Sequence, residues 1–349
     1  MSQKHYYRWA IALIKKASKF KEGVMIRNLL VKAGVMFFIT ALTLALPSEE
    51  VQAAKKYLSL GTGNPGGTNY FLGAGFSQLI NKSVPEVRVI AESTSAGEEN
   101  FHYLIRKKMD LGIVAISVIP PALEKKLDMS GVRLFAMGHT SARHWFVRED
   151  SPIKTLADFK GRRVAVGTPG SATLVSSKLE LALAGKITFD DIKPAYLSFT
   201  ESVTAIKDGT VDVGVISAGY PVASLLDISR IIPIRLIPYN DEQMKTLIAN
   251  KPYYIRVIIP AKTYTGINTG TLTTGVPTGI FCLKELSDEL AYKMMKALYE
   301  NPKEKDAIHP QARQWNMENM YRGADYVTKY IPFHPGAIKY LKEKGVWKQ

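Results

Sequence analysis

The sequence has little cysteine and no recognisable metal-ligand pattern, and both absences narrow the classes of protein it can be. Cys282 is the one cysteine among 349 residues, so a framework of internal disulfides is excluded. It lies in an apolar segment, where a thiol is expected to pack rather than react. The six histidines lack the spacing typical of zinc ligands. We therefore expect no metal site and no cofactor.

Motifs of the common catalytic classes are also missing. The chain has no Gly-x-Ser-x-Gly elbow, and residues 167–173 lack the Gly-Lys-Ser/Thr ending of a phosphate-binding loop. The formal net charge is +15, yet no dense run of Lys and Arg with interleaved aromatic residues indicates nucleic-acid binding. These absences predict a protein that is not an enzyme and does not bind nucleic acid.

The N-terminal region has the order of segments typical of a secretory signal peptide. Basic residues precede the apolar run 33–46, and Val51-Gln52-Ala53 follows it. The run is shorter than the roughly 20 residues of a membrane-spanning helix, which makes a membrane anchor the weaker alternative. We expect residues 1–53 to be a cleaved signal peptide, with Met25 as an alternative start, and the mature protein to be periplasmic. Removing eight basic and three acidic side chains lowers the formal charge from +15 to +10.

Two segments of the chain share one pattern. A predicted strand over Tyr57–Leu60 runs into a glycine-rich turn that begins at Gly61, and one over Arg163–Val166 runs into a second turn that begins at Gly167. A segment of helical periodicity follows each turn. This repetition predicts two α/β lobes of similar plan.

A second matched pair supports the same organisation. Asp110-x-Gly112 follows the first turn, and Asp212-x-Gly214 follows the second. Each pair lies between a predicted helix and a predicted buried strand. We expect both to have structural roles and to lie outside the functional site.

Alternating strands and helices predict a mostly parallel sheet that is covered on both faces. Lobe one is expected over residues 54–145 plus 255–349, and lobe two over 146–254. We interpret Pro252–Pro260 as the strand that returns the chain to lobe one. Two crossings between lobes make a hinge, so the predicted fold class is α/β with a ligand cleft and two crossover strands.

The two glycine turns predict the ligand chemistry. Facing helix N-termini and bare backbone N–H groups suit a small anion such as a carboxylate. For Ser171 and Thr173 the competing interpretation is plain helix capping; the matching turn in the other half favours ligand contact.

An alternative interpretation of the first turn is dinucleotide binding. Gly61-Thr62-Gly63-Asn64-Pro65-Gly66 fits the fingerprint, and Glu92 ends the next predicted strand. A single match of this kind is weak, and an exported protein would meet little nicotinamide cofactor. The anion-binding interpretation is therefore preferred.

Taken in order, several motifs of the chain resemble the TAXI family of solute receptors, the binding subunits of tripartite ATP-independent periplasmic (TRAP) transporters. The resemblance covers essentially the whole chain after residue 54. The motifs include Gly61-Thr62-Gly63, Gly66-Gly67-Thr68-x-Tyr70, Glu99-Asn100, Gly167-x-Pro169-Gly170-Ser171-x-Thr173, Gly219-x-Pro221 and Pro332-x-His334-Pro335-Gly336. Each motif alone is weak, and the ordered set is strong.

The resemblance implies a type II periplasmic-binding-protein fold and capture of a small carboxylate such as glutamate or 2-oxoglutarate. The captured solute would pass to TRAP membrane subunits, which use an ion gradient. We expect a monomer. This chain departs from the family where Thr94-Ser95-Ala96-Gly97 replaces Thr-Gly-Gly-Ser and where Ala115-Ile116-Ser117 replaces Gln-Ser-Asp, so the resemblance implies a class of ligand and not its identity.

Fourteen residues are expected at the ligand. They are Gly61, Thr62, Gly63, Thr68, Tyr70, Ser95, Gly97, Asn100, Thr168, Gly170, Ser171, Thr173, Gly219 and Tyr220. Two other functions stay open at this point. The first is a periplasmic sensor that signals through a membrane kinase, and the second is a dinucleotide-using enzyme.

Overall fold

The computed structural model describes residues 11–12, 31–33 and 55–348. The predicted signal peptide therefore lies almost wholly outside the described residues. Within the described part of the chain, no helix is both long and apolar enough to cross a membrane. Residues 55–349 form one compact unit, and the account below concerns that unit.

Strands and helices alternate along this unit. The strands are β1 (Lys56–Gly61), β2 (Val87–Glu92), β3 (Leu111–Ala115), β4 (Val132–Arg148), β5 (Arg163–Ala165), β6 (Lys193–Ala195), β7 (Gly214–Ala218), β8 (Ile234–Leu236), β9 (Ile255–Ile259) and β10 (Thr271–Leu283). The helices are α1 (Thr68–Ser83), α2 (Gly97–Ile105), α3 (Ile119–Glu124), α4 (Ala172–Glu180), α5 (Phe199–Lys207), α6 (Ala223–Ile231), α7 (Asp241–Asn250), α8 (Asp288–Tyr299), α9 (Pro302–Ile308), α10 (Ala324–Val327) and α11 (Pro335–Glu343). Short 3-10 helices cover Ile116–Val118, Leu156–Phe159, Phe189–Asp191, Pro310–Gln314 and Asn319–Tyr321.

One mixed sheet runs through the unit in the order β2-β1-β3-β10-β4-β7, with β8 beside β4 and β9 beside β10. The β1 strand pairs in parallel with β2 and β3, whereas β10 is antiparallel to β3, β4 and β9. Strands β5 and β6 form a separate parallel pair, which a bridge from Val164 to Val213 connects to the chain just before β7.

Strands β4 and β10 cross from one lobe to the other. The first half of β4 pairs with β10 beside β3, and its second half pairs with β7 and β8. The β10 strand likewise pairs with β9 at its start and with β3 at its end. The predicted α/β class with two lobes, a cleft and two crossover strands is confirmed. The expectation of a mostly parallel sheet is wrong, because both crossover strands run antiparallel to the strands beside them.

The identity of the second crossover strand was predicted wrongly. The segment Pro252–Pro260 contains β9, which folds back on β10 as a hairpin, and β10 is the strand that returns. The sequence of β10 is a poor strand pattern because it contains Gly275, Pro277 and Gly279. The register of β10 against β4 shifts between Pro277 and Gly279. Such an irregularity accommodates a proline, which cannot donate to the ladder.

The Asp-x-Gly pairs have the structural role expected of them. The Asp110 carboxylate accepts from the Ser59 backbone N–H at 2.8 Å, and the Asp212 carboxylate accepts from the Arg163 backbone N–H at 2.8 Å. Each aspartate therefore holds the first strand of its own lobe. Asp212 also pairs with the Arg163 side chain at 2.6 Å, and that guanidinium lowers the pKa of the Asp212 carboxyl.

Candidate ligand-binding site between the lobes

A small cavity lies where the two lobes meet, and its walls come from both halves of the chain. Its volume is about 30 Å³, which is room for one or two water molecules. The lining residues are Gly63, Asn64, Gly67, Thr68, Asn69, Ala96, Gly97, Ala115, Ser117, Ser141, Arg143, Ala172, Thr173, Ser176, Glu180, Phe199, Ser217, Ala218, Thr274 and Val276. A solute of several heavy atoms can enter only if the lobes separate.

Arg143 and Glu180 bring opposite charges to this cavity. Arg143 projects from crossover strand β4 and Glu180 ends helix α4; their side chains are 2% and 1% exposed. The Arg143 Nε lies 2.7 Å from the Glu180 Oε2. Taking both charges out of water costs several kcal/mol per ion, and their attraction only offsets this when the surroundings satisfy them.

Glu180 is well satisfied by its surroundings. The Tyr239 hydroxyl donates to Oε2 at 2.5 Å, and the Thr274 hydroxyl donates to Oε1 at 3.0 Å. The Trp145 indole N–H in turn donates to the Tyr239 oxygen at 2.9 Å. Burial, together with the Glu180 charge, raises the pKa of the Tyr239 hydroxyl well above its ordinary value, so this hydroxyl stays a donor.

The guanidinium of Arg143 is satisfied less well. Its two terminal nitrogens reach the Thr173 carbonyl and the Ser177 hydroxyl only at 3.4–3.5 Å, the long limit for such bonds. A guanidinium carries five donors in a planar fork that matches carboxylate and related acid groups. Arg143 lines the cavity and therefore brings unused donor capacity to its wall.

Three buried side-chain oxygens in the cavity wall have no hydrogen-bond partner among the described residues. They are the Ser117 Oγ, the Ser217 Oγ and the Asn69 Oδ1. Buried polar atoms are almost always paired in folded proteins. Their clustering around one cavity indicates a site that a polar ligand or water completes.

Three helices begin at the cavity wall. The first residues of α1, α2 and α4 all line it, and the positive ends of the helix dipoles favour an anion there. No side chain caps α1 or α2, whereas the Ser171 hydroxyl accepts from the Leu174 N–H and caps α4. The N-termini of lobe one are thus more open to a ligand than that of lobe two.

The lobes touch each other directly around the cavity. The Thr68 hydroxyl of α1 donates to the Gly219 carbonyl at 2.5 Å, and the Glu99 N–H of α2 donates to the Gly170 carbonyl at 2.9 Å. The Gln311 side chain donates to the Tyr220 carbonyl on the same side. These contacts hold the cleft shut.

The structure brings some of the predicted site residues to the cavity. Gly63, Thr68, Gly97 and Thr173 line it. Gly170, Gly219 and Tyr220 lie beside it and supply the carbonyls of the contacts between lobes. Ser95 donates its N–H to the Glu99 carboxylate and lies near Gly170.

The other predicted site residues have structural partners. The Thr62 hydroxyl donates to the Glu92 carbonyl at 2.8 Å. The Asn100 amide donates to the Thr62 and Ile113 carbonyls, which ties β1 to β3. A Cβ on Gly61 would overlap Asn100. These three residues organise the end of β1 below the cavity.

Of the remaining predicted site residues, Ser171 caps α4 and also donates to the Thr168 carbonyl at 2.7 Å. The Thr168 hydroxyl is buried without a partner among the described residues. Tyr70 is 37% exposed and meets Phe71 edge to face at 5.6 Å. The aromatic residue in the cavity wall is Phe199.

The sequence analysis did not predict the charged pair Arg143 and Glu180 or the cavity-wall serines Ser117 and Ser217. Arg143 sits within β4, whose residues are otherwise buried along most of their length. A charged residue within such a segment is the signal that could have found it. No sequence pattern predicts a site role for Glu180. Its partner Arg143 is distant in sequence, and the periodicity of the helix does not show which of its side chains faces β4.

A family model with the description NMT1-like family matches residues 60–345. An Escherichia coli protein described as an aliphatic sulfonates-binding protein is 33% identical over 153 residues, which is 43% of this chain and 46% of the relative. The chain thus spans about half the length of the curated relative it matches.

Solved structures resemble the unit more distantly. The periplasmic aliphatic sulphonate binding protein from Escherichia coli is 18% identical with a TM-score of 0.43, covering 83% of this chain and 79% of that one. The alkanesulfonate-binding protein from Xanthomonas axonopodis pv. citri bound to MOPS is 17% identical with a TM-score of 0.47, covering 83% and 84%. Values this low support neither a shared ligand nor a shared mechanism. The match to the family model covers most of the chain, and the chain belongs to the NMT1-like family.

Proposed function

We propose that this protein is a solute-binding receptor of a membrane transporter and that it holds a small organic anion between its lobes. The observation that carries the proposal is Arg143, a buried guanidinium with donor capacity at a cavity between two lobes. Acid groups of carboxylates and sulfonates fit the guanidinium fork. The curated relative's description as an aliphatic sulfonates-binding protein supports an acid group of this kind.

The site favours binding over catalysis. Its described lining consists mainly of glycines, small hydroxyl residues and one buried ion pair. Among the described residues, no cluster of His, Cys, Asp and Glu could hold a metal ion. Glu92, the acidic residue of the dinucleotide fingerprint, is not among the described residues that line the cavity. We therefore prefer the receptor to the dinucleotide-using enzyme.

The location and the partner follow from the same proposal. A receptor of this kind works in the periplasm, which agrees with the signal peptide predicted over residues 1–53. The ordered motifs of the sequence favour TRAP membrane subunits as the partner and a carboxylate as the solute. The lobe boundary at residue 146 is part of this proposal, as is ligand contact by the four predicted residues that line the cavity, Gly63, Thr68, Gly97 and Thr173.

The binding proposal is tested by screening small acids. We expect carboxylates or sulfonates to raise the unfolding temperature of the purified protein, because a ligand at a hundredfold excess over its Kd adds about 2.7 kcal/mol of stability. Mass spectrometry of protein purified under non-denaturing conditions identifies a solute that co-purifies. A shift with nicotinamide dinucleotides and none with small acids would contradict the proposal.

Serine variants locate the site. Ser117→Ala and Ser217→Ala remove unpartnered hydroxyls of the cavity wall, and each is expected to weaken binding of the identified acid about three- to tenfold in Kd. Ser202→Ala is the matched control, because its hydroxyl is also buried and unpartnered but does not line the cavity. Equal affinities for all three variants would place the ligand elsewhere.

The partner is tested by transport. In proteoliposomes that contain TRAP membrane subunits, uptake of the acid should require this protein and an ion gradient. Collapsing the gradient should abolish uptake. Uptake that instead requires internal ATP would contradict TRAP membrane subunits, and a membrane kinase that responds to the acid would favour the sensor.

A further inference from the structure

Glu180 has a contact pattern that goes beyond neutralising Arg143. Its carboxylate has about four acceptor positions. Among the described residues, Tyr239 and Thr274 donate to two of them, and the Arg143 Nε lies 2.7 Å from Oε2 as an ion pair without hydrogen-bond geometry. Since Glu180 lines the cavity, its carboxylate keeps acceptor capacity for a donor that enters there.

The charges in the cavity wall balance. Arg143 and Glu180 are the charged members of the described lining, and the remaining members are neutral. Closing the lobes over a simple monoanion would add one buried negative charge to a wall whose side chains sum to zero. An unmatched buried charge is costly in a closed site. A solute with both an acid group and an ammonium group adds no net charge.

The same wall offers a position for each end of such a solute. The Arg143 guanidinium and the uncapped starts of α1 and α2 are donors for the acid group. The Glu180 carboxylate and the unpartnered Asn69 Oδ1 are acceptors for the ammonium group. An ammonium group has three donors and no acceptor, so it needs acceptors of this kind.

Resting on the receptor function proposed above, we infer that Glu180 is a specificity-determining residue, which selects solutes carrying an ammonium group near the acid group. Amino carboxylates and amino sulfonates then bind, and the same acids without the amino group are rejected. Rejection arises because the acid alone leaves the free acceptor capacity of Glu180 unused and adds an unbalanced charge.

Matched pairs of solutes test the inference by titration calorimetry. The pairs are alanine with propionate and taurine with ethanesulfonate, in each of which the amino member is net neutral. In the pair that fits the cavity, we expect the amino member to bind the unmodified protein roughly ten- to a hundredfold more tightly, the value of one hydrogen bond to a charged group. Glu180→Gln, which keeps the shape and removes the charge, should bring this ratio to one or below, because the Arg143 charge that remains favours the acid without the amino group.

Tyr239→Phe is the control for a merely structural role. It removes a hydrogen bond to Glu180, and Tyr239 does not line the cavity. If Glu180 selects the solute, Tyr239→Phe lowers the unfolding temperature but leaves the ratio within each pair unchanged. A ratio that collapses equally in both variants would assign Glu180 to structure alone.

The outcomes separate this inference from the receptor function. Should the acid without the amino group bind the unmodified protein as tightly as its partner, the inference is overturned and the receptor function stands. That comparison needs no variant, so it decides even if Glu180→Gln fails to fold. Should no member of any pair bind, and no other organic anion either, the receptor function falls and the inference with it.

Discussion

The two glycine turns look alike in sequence and differ in how their hydrogen-bonding groups are used. In the first, the helix that follows starts without a side-chain cap, and the Thr68 hydroxyl donates across the cleft to Gly219. In the second, Ser171 caps its own helix and also donates to the Thr168 carbonyl. The first turn therefore leaves donors free for a partner, whereas the second satisfies itself.

The two glycines that open these turns differ as well. Gly167 has a φ of +95°, a conformation that side chains rarely tolerate. Gly61 is required by close approach, since a Cβ there would overlap Asn100 and Met109. A repeated glycine thus reflects backbone conformation in one lobe and packing in the other.

The largest expected effect is a loss of stability at low pH, which two buried histidines cause. Neither turn contains a titratable side chain, so a substitution in either turn should leave this effect unchanged. Burial lowers the pKa of His144 to about 4 and that of His139 to about 3. As the pH falls below about 6.5, the unfolded chain takes up protons that the folded protein refuses, so stability is lost toward pH 4. For His144 alone this is about 3 kcal/mol.

Urea unfolding at pH 7, 5.5 and 4.5 measures this loss of stability. The free energy of unfolding should change with pH by the same amount in Gly61→Ala and Gly167→Ala. Nuclear magnetic resonance of the imidazole protons gives the direct check. Protonation of His144 near pH 6.5 in the folded protein would contradict the expectation.

Replacing the two glycines that open the turns should have the next largest effect. Gly61→Ala is expected to lower the free energy of unfolding by about 1–3 kcal/mol through overpacking. Gly167→Ala should cost a similar amount, because strain at φ +95° adds to a 2.9 Å approach to the Leu174 nitrogen. Gly161→Ala is the control, with φ +74° and nothing within 4 Å. If Gly161→Ala costs as much as Gly167→Ala, crowding plays no part.

Removing one hydroxyl from each turn tests whether the two turns have different roles. Thr68→Val should weaken ligand binding about three- to tenfold, because it removes a hydrogen bond that holds the lobes together. Ser171→Ala should instead lower stability by about 1 kcal/mol through loss of a cap, with little change in Kd. Calorimetry and thermal unfolding separate the two. Ser287→Ala, which removes the cap of α8, is the control for Ser171, and a binding defect in Ser171→Ala alone would put both turns at the ligand.

The smallest expected effect concerns Ala96, which precedes α2 and lines the cavity. Its φ of 84° and ψ of −150° lie in a region that is essentially restricted to glycine. Ala96→Gly should therefore raise the free energy of unfolding by about 1 kcal/mol, after the entropy that glycine adds to the unfolded chain. Ala115→Gly, at an extended φ of −78°, should lower it. Chemical denaturation of both variants decides, and a loss in Ala96→Gly would mean that the alanine is not strained.

The sequence predicted those parts of the fold that depend on local pattern. The strands before Gly61 and Gly167, the roles of Asp110 and Asp212, and the helix over Pro302–Ile308 could be read from periodicity and turn residues. The return strand β10 could not, because its glycines and proline are accommodated by a register shift that only its neighbours reveal.

The site was less predictable than the fold. Glycines and hydroxyl residues at helix starts pointed to helix N-termini that line the cavity, but the same patterns serve capping, as Ser171 shows. Arg143 and Glu180 come from a crossover strand and the far end of a helix, and their pairing depends on how β4 passes behind α4. Local sequence contains no measure of that distance.

The side-by-side arrangement of β4 and β10 determines how this molecule can move. Because the two strands are hydrogen-bonded neighbours, the lobes are joined by one two-stranded ribbon and not by two independent linkers. A two-stranded ribbon bends most easily where hydrogen bonds between its strands are missing. The register of the two strands shifts just after Pro277, which pairs with Thr140. The Ser141 and Thr278 hydroxyls meet at 3.0 Å beside that break. We expect the stiffness of this short stretch behind the cavity to determine the free-energy cost of closing the cleft. That cost reduces the net free energy of ligand binding.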